Sequence, residues 1–187
     1  MRLFCGIEIP EAIKDHLRAL INRLRPLAKL SWSPIENLHV TTKFIGEWPE
    51  DRLDQMKRAL RTIKPPGEIE IGVRGLGWFP NERNPRVFWA GIEASSGLQD
   101  LARDTDRATA ELGVVPEERE FHPHLTLARR RDPVPIEQLR KEAAGLAGSD
   151  FGSFRAPAFF LYLSKAGRYT KLDQYSLAPG QGAALKT

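Results

Sequence analysis

The sequence predicts an α+β fold in which two antiparallel sheets, each flanked by helices, face one another across a cleft. Two observations carry that expectation. Strand-like and helix-like segments alternate along the 187 residues, and no linker composition divides them. One short phrase also occurs twice, as Leu38-His39-Val40-Thr41-Thr42 and as Pro123-His124-Leu125-Thr126-Leu127. Each copy is followed by a helix pattern and then by further strands.

Taken in order, residues 2 to 9 read as a buried apolar strand. Pro10 and Glu11 then open a helix over about 11–28, with Ile13, Leu17, Leu20, Ile21 and Leu24 on one stripe. Trp32 and Pro34 lead into the first His-x-Thr strand, about 38–45. Gly46 to Pro49 interrupt it, and Glu50-Asp51 place acid at the start of a second helix over about 51–63. Pro65-Pro66-Gly67 end that helix. Ile69, Ile71 and Val73 alternate with Glu68, Glu70 and Gly72, which is a strand pattern. Gly75 to Pro85 reads as a long loop or short hairpin, Arg86 to Glu93 as a strand, and about 97–112 as a third helix. The second His-x-Thr strand follows, then a fourth helix near 135–146 and strands near 153–163 and 169–177.

The repeated phrase carries the chemistry. In a strand, residues two apart point to the same face. Each copy therefore sets an imidazole beside a hydroxyl, with Val40 or Leu125 turned into the core. Brought together, the two copies form a pocket of two histidines and two threonines. An unperturbed imidazole titrates near neutrality, so one can take a proton while the other gives one. The hydroxyls of Thr41 and Thr126 can donate to phosphate oxygens. The chain has four histidines, and two of them fall in matching phrases with a matching threonine. His39, His122 and His124 as a zinc set is the competing reading. It lacks a third ligand phrase, and threonine is a poor zinc ligand; neither metal nor cofactor is expected.

Composition bounds the rest. Hydrophobic residues make up 41% and charged residues 28%, as in an ordinary globular chain. The net charge of +4 and pI near 9.4 suit an anionic substrate without requiring one. The single cysteine, Cys5, excludes an internal disulfide and reads as a small core residue. Glu8 and Pro10 interrupt the opening apolar run, which is too short for a signal peptide or a membrane span. A monomer in the cytoplasm is the expectation.

Several phrases, in order along nearly the whole chain, resemble the 2H phosphoesterase superfamily, and within it the RNA 2′,3′-cyclic phosphodiesterases first described as 2′-5′ RNA ligases. These are Arg2–Pro10, Leu38–Glu47, Phe79-Pro80 with Pro85–Ile92, Phe121–Arg129, and Leu161–Ser164 with Gly167–Tyr169. The resemblance implies one bilobal catalytic domain over 1–187, pseudo-two-fold symmetric, with one motif per lobe. It implies hydrolysis of an RNA or nucleotide 2′,3′-cyclic phosphate to a 2′-phosphomonoester, with reversible 2′-5′ ligation in some members. It also implies His39 as proton donor, His124 as proton acceptor, and an arginine five positions past the second histidine, here Arg129. Simple alternation from His124 favours Arg130 instead, unless a bulge or strand end intervenes. In the same way Lys43 is in phase with His39 and Thr41. His122 reads as a rim residue, His16 as a solvent-exposed helix residue, and Trp32, Phe79 and Tyr169 as aromatics available to stack on a base. The rival class is a non-catalytic nucleotide- or RNA-binding module, for which two intact imidazoles are unnecessary. A structural partner protein leaves the repeated phrase unexplained.

Overall fold

The apolar run Leu3-Phe4-Cys5-Gly6-Ile7 lies inside strand β1 (Arg2–Glu8), near the middle of a four-stranded sheet. The computed structural model describes residues 1–178. Helix α1 (Glu11–Leu24) follows, then a two-residue strand β2 (Ser31–Trp32) and β3 (His39–Glu47), which holds the first motif. Next come α2 (Leu53–Arg61), the hairpin of β4 (Ile69–Phe79) and β5 (Val87–Ala94), and α3 (Ser96–Ala110). Strand β6 (His124–Arg129) holds the second motif. Helix α4 (Glu137–Gly145) and strands β7 (Asp150–Ala156), β8 (Ala158–Lys165) and β9 (Arg168–Ser176) complete the described residues.

The strands form two sheets, β3-β1-β8-β9 and β2-β6-β5-β4-β7, and every neighbouring pair is antiparallel. The motif strands β3 and β6 touch where the sheets meet. The helices cross between lobes. Helix α1 leaves the first sheet and packs on β7 and α4 of the second, while α3 leaves the second sheet and packs on β3 and α2 of the first. This exchange explains why no linker divides the sequence. The predicted stripe Ile13, Leu17, Leu20, Ile21 and Leu24 is buried in full. It belongs to one continuous apolar cluster that also takes in Cys5, Val40, Met56, Phe88 and Leu125. Cutting Leu17 or Met56 to alanine would cost about 2–5 kcal/mol.

Four boundaries differ from the sequence reading, each for a local reason. Helix α1 stops at Leu24 and continues only as a 3₁₀ turn over Arg25–Leu27, because Pro26 has no N–H to donate. The second helix begins with a 3₁₀ turn, Glu50–Arg52, before α2 proper. Gly75 to Phe79, inside the stretch read as a long loop or short hairpin, continues β4. Gly75, at φ +70°, takes up a bulge between Arg74 and Leu76, after which β4 pairs with β5 as far as Phe79. The single strand expected near 153–163 is two strands, broken at Pro157, which belong to different sheets.

Candidate active site

Each motif strand carries a bulge at the same place. In β3, Gly6 pairs with Thr41 and Cys5 with Lys43, so Thr42 is the extra residue. In β6, Trp89 pairs with Thr126 and Phe88 with Ala128, so Leu127 is the extra residue. A one-residue insertion reverses the alternation beyond it. The residue four past each histidine therefore turns inward, and the residue five past it turns onto the face of the histidine and threonine.

That shift decides the two residues the alternation misplaced. Lys43 is buried, and its Nζ donates to Asp106 of α3 and to the Val115 carbonyl (2.8 Å), so it is not a cleft residue. Arg129 pairs with Val87, two residues from Trp89, and so shares the face of His124 and Thr126. Arg130 points away and donates to the Val134 carbonyl (2.8 Å). The matching position of the first motif is Phe44. It lies opposite Phe4 on the histidine face and is 59% exposed.

Both imidazoles are held in one way. His39 Nδ1 bonds the Asn37 carbonyl at 2.6 Å, and His124 Nδ1 bonds the His122 carbonyl at 2.8 Å. A carbonyl only accepts, so each Nδ1 carries the proton and each Nε2 is left for a ligand. Each ring also meets an aromatic edge. Tyr169 stands at 5.2 Å and 84° to His39, and Phe79 at 4.9 Å and 80° to His124. Close backbone makes room on both sides. A Cβ on Gly6 would lie 2.9 Å from the Val40 oxygen and 3.2 Å from the His39 ring. Gly91 is paired with His124, and a Cβ there would lie 2.4 Å from the Arg74 oxygen.

The surroundings differ beyond that. His39 has Phe4 at 4.5 Å and Tyr162 at 6.0 Å, an aromatic box. Burial pushes its imidazole down to about 4; the Asn37 carbonyl opposes this, and the charges of His124 and Arg129 add to it. Burial also lowers the proton affinity of His124, opposed by the His122 carbonyl and reinforced by Arg129. The charge of Arg129 thus bears on both rings, and that of His124 bears on His39.

The remaining predicted residues fall as follows. Thr41 and Thr126 are half-buried beside their histidines. Phe79 and Tyr169 pack on the histidine edges. Trp32 lies away from them, its ring 6.1 Å from Phe88 and its indole donating to the Ala28 carbonyl. His122 contributes its carbonyl, while its exposed ring stands near Glu120. His16 is exposed and bonds the Phe151 carbonyl. Cys5 is buried, and desolvation raises its thiol pKa. The sequence reading passed over Phe44, Phe4, Tyr162 and Asn37. Phe44 was legible as the partner of Arg129 once the motifs were aligned. Among the described residues no three His, Cys, Asp or Glu side chains are grouped to hold a metal ion, and no helix is long and apolar enough to cross a membrane.

The chain is similar to known proteins in sequence and in fold. A family model described as LigT like Phosphoesterase matches residues 7–89 and 92–170. The chain belongs to the LigT-like phosphoesterases. An RNA 2′,3′-cyclic phosphodiesterase of Methanothermobacter thermautotrophicus is 32% identical over 95% of this chain and 99% of its own length. The Thermus thermophilus protein TT0787 superposes with a TM-score of 0.79 at 31% identity, over 96% of this chain and all of the other. Escherichia coli LigT, solved in complex with 3′-AMP, gives 0.75 at 26% identity, over 94% and 97%. The bilobal pair of antiparallel sheets is thus the architecture of LigT-like phosphoesterases.

Proposed function

We propose that this LigT-like phosphoesterase opens terminal 2′,3′-cyclic phosphates of RNA or of short nucleotides, by general acid–base catalysis between His39 and His124. The observation that carries the reading is the matched pair of Nε2 atoms, each fixed by an Nδ1 bond to the carbonyl two residues earlier. Opening a cyclic phosphodiester by in-line attack needs a base at the entering water and an acid at the departing ribose oxygen. Two imidazoles on opposite walls meet that need. Thr41, Thr126 and Arg129 donate to the non-bridging oxygens, where charge builds. The relatives named for this reaction support the assignment.

His39 is the proton donor and His124 the acceptor in this scheme. With its proton affinity held near 4, His39 is neutral in the free protein at pH 7. The phosphate monoanion, settling between the rings, favours the charged imidazolium and supplies the missing stabilisation. The donor then protonates the 3′ oxygen while water activated by His124 attacks from the far side, leaving the phosphate on the 2′ oxygen. On the wall opposite Arg129, Phe44 offers a ring face for a nucleobase. The protein works as a monomer in the cytoplasm and needs no metal.

The test is an oligoribonucleotide ending in 2′,3′-cyclic phosphate, incubated with pure protein with and without chelator. Phosphorus NMR of the product should show a 2′-phosphomonoester in both. A 3′-phosphate would reverse the pose of the ribose, and loss of turnover restored by zinc or magnesium would replace the imidazole mechanism with a metal-assisted one.

A further inference from the structure

The segment Ser31–His39 runs from the second sheet to the first, directly between the two motif strands. It begins as β2, paired with the end of β6 at Ser31–Arg129 and Trp32–Ala128. At Ser33 it grips the bulge of the second motif twice. The Ser33 hydroxyl donates to the Thr126 carbonyl at 2.7 Å, and the Ser33 N–H donates to the Leu127 carbonyl at 2.9 Å. Those two carbonyls belong to Thr126 and to Leu127, the extra residue of β6. The segment then makes a short 3₁₀ turn, Ile35–Asn37, and enters β3 at His39.

At the far end Asn37 makes two bonds. Its carbonyl accepts from His39 Nδ1, and its side-chain Nδ2 donates to the Gly167 carbonyl at 2.7 Å, in the turn between β8 and β9. That hairpin also carries Tyr169, whose ring packs on the edge of His39. The orientation of His39 is therefore tied through Asn37 to the hairpin. The second motif has no matching side chain, since the residue in the place of Asn37 is His122, whose exposed ring stands near Glu120.

We propose that Ser31–His39 is a strap that sets the spacing and alignment of the two imidazoles, with Ser33 and Asn37 as positioning residues. The proposal rests on the two-histidine reading above and adds the means by which two lobes hold one reaction geometry. In-line transfer needs the donor and the acceptor on opposite sides of phosphorus at the same moment. A small misplacement of either ring lowers the rate of the chemical step more than it weakens substrate binding. Neither Ser33 nor Asn37 touches the reacting atoms in this scheme. The bond of each reaches a backbone carbonyl, so alanine removes a tether without stranding a partner charge.

The test compares Ser33→Ala, Ser33→Thr and Asn37→Ala with wild type, using the cyclic-phosphate oligonucleotide, with imidazole NMR on the same samples. The strap predicts that both alanine variants lose about ten- to a hundredfold in kcat, with KM nearly unchanged and thermal midpoints close to wild type. Ser33→Thr keeps the hydroxyl and should keep most of kcat. In the NMR, Asn37→Ala should shift or broaden the His39 ring signals and leave those of His124 in place, while Ser33→Ala should do the reverse. Unchanged kcat in both alanine variants, or a threonine variant as impaired as the alanine one, overturns the strap. If wild type leaves the cyclic phosphate intact, the functional reading fails; unshifted imidazole signals then overturn the strap separately, and shifted ones uphold it.

Discussion

The two motifs share a backbone and differ in their neighbours. Each has histidine, core residue, threonine, a bulge, an inward residue and a cleft residue in the same order. Each ring is fixed at Nδ1 by the carbonyl two residues earlier and met edge-on by an aromatic. The difference begins at the cleft residue past the bulge, Phe44 in one lobe and Arg129 in the other. It continues in the aromatic box around His39, which His124 lacks. In the proposed scheme symmetry supplies two proton carriers facing one phosphate, and asymmetry sets which way the substrate lies: the guanidinium favours the anionic phosphate oxygens, and the ring favours an uncharged base.

The largest way to break this comparison is to remove either ring. His39→Ala and His124→Ala should each lower kcat by at least about a hundredfold, the usual cost of a lost acid or base, with the fold intact by circular dichroism. Near-normal turnover by one of them would mean that the copies are not a working pair. A sharper test exchanges the neighbours. Arg129→Ala should lower kcat about a hundredfold, as loss of a charge-stabilising donor does. Phe44→Ala should act mainly on KM, by about tenfold, as loss of a stacking platform does. If both variants change KM alone, Arg129 steers the substrate electrostatically and takes no part in the transition state.

The pH dependence probes the same asymmetry with a smaller effect. Burial lowers both imidazoles, His39 to about 4. The reaction needs one ring protonated and one neutral, so kcat/KM, which reports the free protein, should form a bell centred below pH 6.5. Bound phosphate anion raises both values, so the kcat profile should lie at higher pH. Removing the Arg129 charge also favours the protonated rings, so Arg129→Ala should move the kcat/KM bell upward. An unmoved bell would place Arg129 too far from the rings to act on them.

The two histidines stand out in the sequence because a His-x-Thr pattern found twice in one chain outweighs any single motif, and the strand period puts each hydroxyl beside its ring. The core stripe of α1 was legible for the same reason of periodicity. What strict period reads wrongly is an insertion. Neither Thr42 nor Leu127 announces a bulge, yet each reverses the alternation after it, sending Lys43 inward to Asp106 and Arg129 outward. Gly75 hid the continuation of β4, because a glycine-rich stretch reads as a loop until its partner strand is known. The helix exchange between lobes and the bond from Asn37 to Gly167 join residues far apart in sequence, and no local pattern encodes them.

The central claim is a division of labour, with His39 protonating the leaving oxygen and His124 activating water. A cyclic substrate with sulfur in place of the bridging 3′ oxygen tests it most directly, because a thiolate departs without an acid. On this substrate His39→Ala should recover to within about tenfold of wild type, while His124→Ala should stay impaired by about a hundredfold or more. Recovery of His124→Ala with His39→Ala still impaired would contradict the assignment and reverse the roles of the two motifs.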